Sequence, residues 1–158
     1  MGFLSNSQFV IIIQLLLSAL LGGLVGFERE YKRKEAGLRT YTLVSLGAAL
    51  FTIVSIKSFD YFAGRPGVNF DPGRIIGQIV LGVGFLGAGL IVFKDFHIEG
   101  LTSAAGLWMV AGIGSAVGSG LYFVAVFVTF LTIGILAGLR IIEEKVFHKD
   151  GMDSQKKS

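Results

Sequence analysis

The chain of 158 residues is 53% hydrophobic and only 16% charged, with 23 glycines and a formal net charge of +3. This composition, with a mean hydropathy of +0.72, is typical of a helical bundle in lipid and argues against a soluble domain. The chain has no cysteine, which excludes disulfides, thiolate metal sites and cysteine nucleophiles.

Four apolar runs predict five membrane-spanning helices, because about 20 apolar residues cross a bilayer as a helix. The first three runs cover residues 9–27, 40–56 and 75–93. The fourth, 101–139, has no charged residue or histidine and is long enough for two crossings with a turn near residues 118–120. We therefore predict an all-α, polytopic bundle at 9–142, with a short external N-terminus at 1–8 and a short cytoplasmic tail at 143–158.

The basic residues predict the orientation of this bundle. Five Lys or Arg residues lie in the first loop, one in the third and five after the last helix, against three in the second loop. The positive-inside rule then places the N-terminus outside and the C-terminus in the cytoplasm. No basic residue precedes the first run and a basic cluster follows it, which favours an uncleaved helix over a signal peptide.

Glycines recur at a spacing of four residues, which allows close contact between helices in lipid. Packing within the chain is favoured over a dedicated dimer face, and both can hold at once. The densest cluster, residues 82–89, fits a dinucleotide fingerprint but lies inside an apolar run, so we reject that match. Packing is the favoured role for the cluster, and local unwinding that exposes carbonyls to an ion or a partner is the alternative. The spaced pairs are Gly22/Gly26, Gly73/Gly77, Gly114/Gly118 and Gly134/Gly138.

Few polar side chains lie inside the predicted spans. Interhelical hydrogen bonding is the favoured role for Gln14, Ser103 and Ser115. Gln78 lies beside the glycine cluster and one turn after Arg74, so it is the better candidate for a functional polar patch.

Charges at the predicted membrane boundaries form two further candidate regions. Glu28 follows the first run and requires a partner such as Arg39 or Arg29 if it lies at the boundary; a solvated helix end is the alternative. The basic loop around it either attracts anionic lipid headgroups or only sets the topology. At the start of the third run, Asp71 and Pro72 form a helix-start signal. Arg74 is expected to pair with Asp71 or Asp60, or to contact a partner, and a divalent cation bound by Asp60 and Asp71 is a weaker alternative.

No arrangement of residues indicates catalysis, a cofactor or a metal. His97 with Asp95 and Glu99 is more typical of a charged turn than of a metal site, which needs three or four ligands in compatible geometry. Neither histidine accompanies a recognisable nucleophile. We therefore predict a protein that is not an enzyme, has no cofactor and binds no nucleic acid.

Five ordered blocks of residues cover 22–30, 37–40, 73–75, 84–89 and 100–108. Together they resemble the MgtC/SapB family over roughly residues 15–114. The resemblance implies a bacterial inner-membrane protein with five transmembrane helices, and some members of the family are associated with growth at low magnesium. It also implies a regulator that binds another membrane complex, with the F-type ATP synthase as the proposed partner. Virulence-type members have a soluble cytoplasmic domain after the fifth helix, whereas this chain ends soon after Lys149, so we expect a short member.

Our leading hypothesis is a non-enzymatic modulator of a membrane partner or of magnesium homeostasis. The protein lies in the lipid bilayer in this hypothesis, and homo-oligomerisation is left open. The alternative is a transporter or channel subunit whose cation path is lined by Gln78, Thr102, Ser103 and glycine carbonyls. A structural component whose charges only set topology is the third class. The candidate functional residues are Glu28, Arg39, Asp71, Arg74, Gln78, Gly84, Gly87, Gly89 and Thr102.

Overall fold

The protein is an all-α bundle in the computed structural model, which describes residues 6–64, 71–94 and 96–139. The all-α part of the predicted fold class is therefore confirmed, while the five membrane crossings and their orientation stay predictions. Most of the predicted external segment and all of the predicted tail lie outside the described residues. The helices are α1 (Asn6–Tyr31), α2 (Leu38–Phe62), α3 (Pro72–Ala88), α4 (Leu101–Gly118) and α5 (Tyr122–Gly134), which continues as a π-helical turn at Ile135–Leu139.

The ends of α2 and α3 differ most from the apolar runs. The second run is 17 residues long in sequence, but α2 has 25 residues because the polar residues after Ile56 continue the helix. The third run extends to Phe93, yet α3 ends at Ala88, and Gly89 caps it. The hydrophobicity of a residue reflects its burial in lipid or protein and does not show where the last hydrogen-bonded turn of a helix lies. The apolar runs therefore misplaced the ends of α2 and α3.

A short hairpin follows α3, where we predicted a charged turn. Strands β1 (Val92–Lys94) and β2 (His97–Glu99) pair antiparallel, with Phe93 opposite Ile98. Gly100 joins the hairpin to α4 with φ +88°, and a Cβ there would collide with the Leu90 carbonyl. Glycine is required at this corner for both reasons.

The predicted turn between the last two helices is confirmed. Helix α4 ends at Gly118, and Gly120 has φ +80°, a conformation that favours glycine. The backbone N–H of Leu121 donates to the carbonyl of Ala116, which closes the turn at 2.8 Å.

Helix α2 lies between α1 and α4 in the core of the bundle. Gly26 of α1 approaches the first turn of α2 and Gly22 approaches the next turn, so α1 and α2 are antiparallel. Gly106 and Gly118 of α4 meet Tyr41 and Thr52 in the same order along both helices, so α2 and α4 run in the same direction. The ends of α1 and α3 and the starts of α2 and α4 consequently share one end of the bundle, the basic end.

Three of the described helices, α1, α2 and α4, are long and apolar enough to cross a membrane. Two apolar helices are shorter, Pro72–Ala88 and Tyr122–Gly138. Large apolar side chains such as Leu16, Leu43 and Phe123 cover the outside of the bundle. An outer surface of this kind suits lipid rather than water.

Candidate functional site

The end of α1 folds back towards its own last turns at the basic end. Arg33 adopts φ +52°, and the N–H groups of Arg33 and Lys34 donate to the carbonyls of Glu30 and Arg29. These two bonds form a Schellman motif, which satisfies carbonyls that the helix end would leave free. The motif directs the following loop, with Glu35 and Ala36, across the bundle.

Glu28 and Arg29 form a buried ion pair at the end of α1. Arg29 Nε lies 2.5 Å from Glu28 Oε2, and the two side chains are 3% and 12% exposed. The other carboxylate oxygen of Glu28 has no hydrogen-bond partner among the described residues. Of the two partners considered for Glu28, Arg29 therefore forms the pair, and Arg39 is exposed on α2.

Ser103 of α4 connects the α1–α2 loop to α2. Its hydroxyl donates to Glu35 Oε2 at 2.5 Å, and its carbonyl accepts from the buried Tyr41 hydroxyl at 2.7 Å. Gly106, one turn along α4, leaves the space for the Tyr41 ring, because a Cβ there would lie 2.7 Å from the hydroxyl oxygen. The α1–α2 loop and the first turn of α2 are thus joined to the distant α4 around one serine.

Glu30 fixes the entry to α2. Its Oε2 accepts from the Leu38 N–H at 3.1 Å, so a residue of α1 caps the first turn of the next helix. Gly37 is needed beside it, because a Cβ at that position would overlap the Glu30 carboxylate.

The surface of the basic end is positively charged and includes the Glu35 carboxylate, which stays ionised. The hydrogen bond from Ser103 is the main cause that lowers the pKa of Glu35 below 4.5, and a backbone hydrogen bond and the charges of Lys34 and Arg29 act in the same direction. The exposed cations here are Lys32, Arg33, Lys34, Arg39 and Lys94. This surface suits anionic lipid headgroups or an acidic surface of a partner.

The charges expected at the start of α3 lie at the opposite end of the bundle. Asp71 caps α3 as predicted, since its Oδ1 accepts from the Gly73 N–H at 2.8 Å. Asp60 lies 3.9 Å from Lys57, and both side chains are exposed. Arg74 is exposed and has no ion pair with any described residue.

The remaining predicted residues do not converge on one path. Helix α3 is continuous to Ala88, so the glycine cluster does not show the local unwinding that was the alternative to packing. Gln78 and Thr102 are exposed, on α3 and α4 respectively, while Ser103 is buried and bonded. Gly84 and Gly89 are exposed, whereas Gly87 is buried with its Cβ position 3.6 Å from the Ala104 methyl.

Glycines make their close contacts elsewhere, between α2 and its two neighbours. A Cβ on Gly22 or Gly114 would collide with Ser45, and one on Gly118 would lie 2.8 Å from the Ala49 carbonyl. Polar side chains in this region donate hydrogen bonds to backbone carbonyls. Ser45 donates to Ser18 at 2.8 Å, and Gln14 donates to Val117 at 3.2 Å, as expected for interhelical hydrogen bonding.

Glu35 and Tyr41 are not among the candidate functional residues that the sequence pattern indicates. Nothing in the local pattern relates them to Ser103, which lies more than sixty residues away in the chain. The one available signal was the recurrence of polar residues in the first turn of an otherwise apolar helix. Within residues 6–64, 71–94 and 96–139, no group of three or more His, Cys, Asp or Glu side chains could hold a metal.

A family model described as MgtC family matches residues 15–145 of the chain. YhiD of Escherichia coli (strain K12), described as a "Putative magnesium transporter", is 42% identical over 138 residues, which cover 87% of this chain and 60% of the relative. Protein MgtC of Brucella abortus is 44% identical over 121 residues, which cover 77% and 48% of the two chains.

Protein MgtC of Salmonella typhimurium is 45% identical over 113 residues, covering 72% of this chain and 45% of its own length. The chain thus spans roughly half of the length of the curated relatives that it matches. No solved structure matches it. The matched residues include both the basic end and the whole of α3.

Proposed function

Because this chain belongs to the MgtC family, we propose that it is a non-enzymatic, multi-pass protein of a bacterial inner membrane that modulates another membrane complex in magnesium handling. The link to magnesium comes from the name of the E. coli relative. All five helices cross the membrane in this proposal. The basic end faces the cytoplasm, since it carries most of the Lys and Arg residues.

The closed core between α1, α2 and α4 is the observation that supports a modulator over a conduit. A Cβ at Gly114 would already collide with the Ser45 carbonyl, so the contact leaves no room for a hydrated cation. The side chains of Gln14 and Ser45 are engaged by backbone carbonyls. A magnesium ion sheds its water reluctantly, so a path for it needs a wide or oxygen-rich channel.

Magnesium flux into liposomes tests this proposal. Purified protein is reconstituted with an internal magnesium-sensitive dye, beside empty liposomes and a Gly87→Leu variant. We expect the protein to admit magnesium no faster than empty liposomes, with circular dichroism confirming the helical fold. Magnesium flux that is present in the unchanged protein and lost in the variant would overturn the proposal that the chain is a modulator.

The partner that the family resemblance suggests, the F-type ATP synthase, gives a direct functional assay. ATP-driven proton pumping is measured in inverted membrane vesicles with and without the chain. We expect the chain to change pumping, and Arg39→Ala to weaken that effect because Arg39 is an exposed cation of the basic end. Lys57→Ala, an exposed cation at the opposite end, is the matched control.

A transporter or channel subunit remains the second candidate. It is favoured by the name of the E. coli relative, a putative magnesium transporter, and by the exposure of Gln78 and Thr102 on the outside of the bundle. Those side chains would line a path only where several copies met. Flux that requires both residues in the liposome assay would favour this candidate.

A further inference from the structure

The hairpin between α3 and α4 is not covered by the described part of the chain. Every residue of β1 and β2 is exposed, and the large side chains of Phe93 and Ile98 are 70% and 58% exposed. A two-stranded hairpin is only marginally stable in water unless one of its faces packs against something. The exposed apolar residues of this hairpin therefore need a surface to contact.

The pairing register divides the hairpin into an apolar face and a polar face. Residues directly opposite each other in an antiparallel pair share a face, and successive residues of a strand alternate between faces. Phe93 lies opposite Ile98, and these two residues form the apolar face. The other face is mainly polar and carries two pairs, Lys94 opposite His97 and Val92 opposite Glu99.

The turn of the hairpin carries a third large apolar side chain. Phe96 is 90% exposed and has φ +64°. This backbone conformation in a hairpin turn favours glycine or asparagine, so a phenylalanine here costs conformational energy. Contacts within the described chain do not offset that cost, because the side chain is almost fully exposed. Contact with an apolar environment outside the chain would offset it.

The position of the hairpin indicates which apolar environment lies next to it. The hairpin joins the end of α3 to the start of α4, so it lies at the basic end of the bundle. Leu86 near the end of α3 and Leu101 at the start of α4 are both exposed. The outer apolar surface that suits lipid therefore continues up to the base of the hairpin, and lipid is the adjacent apolar medium.

The backbone of the hairpin determines how deep it can lie in the lipid. The outer edges of a two-stranded sheet have unpaired N–H and C=O groups, which find no partner in hydrocarbon. The headgroup layer supplies water and polar groups as partners. A segment with phenylalanine on one face and lysine on the other lies along this layer. The hairpin therefore fits flat on the leaflet, with Phe93 and Ile98 towards the acyl chains.

The charges of the basic end specify the class of lipid. Two of the exposed acidic side chains described here, Glu30 and Glu35, already accept hydrogen bonds from Leu38 and Ser103. The exposed cations outnumber the exposed acidic side chains among the described residues of this end, and a surplus of positive charge attracts anionic headgroups. These cations are Lys32, Arg33, Lys34, Arg39 and, on the hairpin itself, Lys94.

We infer that the β1–β2 hairpin is a membrane anchor, which inserts Phe93, Phe96 and Ile98 into the boundary layer of an anionic lipid leaflet at the basic end. The inference rests on the membrane location in the proposed function. It goes beyond that function because it assigns a lipid contact to a segment outside the helices.

Spin labelling measures this insertion at single sites, because the chain has no cysteine of its own. Phe93→Cys and Ile98→Cys place a label on the apolar face, and His97→Cys places one on the polar face as the matched control. The labelled full chains are reconstituted in nanodiscs of phosphatidylcholine and phosphatidylglycerol, which leave both ends of the bundle accessible. Collisions with oxygen, which concentrates in lipid, are compared with collisions with a water-soluble nickel chelate.

We expect the ratio of oxygen to chelate collisions to be several-fold higher at Phe93→Cys and Ile98→Cys than at His97→Cys. Equal ratios on the two faces would overturn the inference. Labels on the apolar face that are shielded from both reagents would also overturn it, because protein rather than lipid would then cover that face.

A label on α1 separates failure of this inference from failure of the proposed function. Leu16 is 65% exposed and faces lipid if α1 crosses the membrane. Oxygen contact at Leu16→Cys together with chelate contact at Phe93→Cys and Ile98→Cys would overturn the anchor alone. Chelate contact at Leu16→Cys, with a circular dichroism spectrum that shows an intact helical fold, would overturn the membrane location itself.

The same labels test the charge of the lipid. In nanodiscs of phosphatidylcholine alone, we expect the collision ratio at Phe93→Cys and Ile98→Cys to fall, because the cations lose their anionic partners. Lys94→Gln should lower it in the mixed lipid, whereas Lys57→Gln, at an exposed cation of the opposite end, should leave it unchanged. Equal ratios with and without phosphatidylglycerol would overturn the assignment of an anionic leaflet.

Discussion

Glycine has opposite surroundings in two regions of this molecule. Where α1 and α4 pack against α2, the added Cβ of a substituted glycine would collide with that helix, as at Gly22 and Gly114. Along α3, the same addition at Gly77 or Gly84 would meet nothing within 4 Å. A glycine in these helices therefore marks a close contact only where another helix packs against it, and within the described residues no helix packs against Gly77 or Gly84.

The largest difference between the two regions is expected for arginine. Arg29→Ala leaves the buried Glu28 carboxylate without its partner and should lower the free energy of unfolding by about 3–5 kcal/mol. Arg74→Ala on the exposed face of α3 should change it by less than about 0.5 kcal/mol. Unfolding in mixed detergent micelles measures both. Equal changes in the free energy of unfolding for Arg29→Ala and Arg74→Ala would contradict the difference between the two regions.

Glycine to alanine substitutions compare the two regions directly. Gly114→Ala forces a methyl group against the Ser45 carbonyl and should cost about 1–3 kcal/mol of unfolding free energy. Gly84→Ala should be neutral or stabilising by up to about 1 kcal/mol, because alanine favours the helix and the space is open. Gly112→Ala, on the same helix as Gly114 but in open space, is the control. A neutral Gly114→Ala would contradict the close contact.

The first turn of α4 offers a finer comparison between neighbours. Ser103→Ala removes the hydroxyl that donates to Glu35 and should cost about 1 kcal/mol in the same unfolding assay. Thr102→Ala, whose side chain is exposed, should cost less than half of that. A larger loss at Thr102 would indicate that Thr102 has a contact that the described residues lack.

The smallest expected effect is a pH dependence at the basic end. The folded state lowers the pKa of Glu35 below 4.5, so this carboxylate stabilises the fold above pH 4.5 and loses that contribution as pH falls through its folded pKa. Glu35→Gln should therefore reduce the loss of thermal stability below pH 4.5. The measurement is the melting temperature of both proteins in detergent at a series of pH values. Parallel curves would contradict the hydrogen bond to Ser103.

Several features of the fold follow from local sequence. The turn at residues 118–120 was predictable, because only a short glycine-containing segment interrupts an apolar run that is long enough for two helices. The cap at Asp71 was predictable because a short carboxylate before proline satisfies a free backbone N–H in the first turn. Both features depend on neighbours within four residues.

Features that depend on distant residues were not predictable. The sequence left both Arg29 and Arg39 open as the partner of Glu28, and the structure selects Arg29 because the helix end places this adjacent guanidinium inside the basic end and leaves Arg39 outside. The role of Glu35 required the approach of α4, which no local pattern encodes. The hairpin after α3 was also missed, since its strands are three residues each.

By itself, the sequence determined that this is an apolar, helical protein with a basic end, because hydropathy and charge act residue by residue. Only the tertiary structure decided which glycines are contacts and which are open, and which carboxylate is paired and which is solvated. Those distinctions are distances between segments far apart in the chain. They arise when α1 and α4 close around α2 and leave α3 exposed.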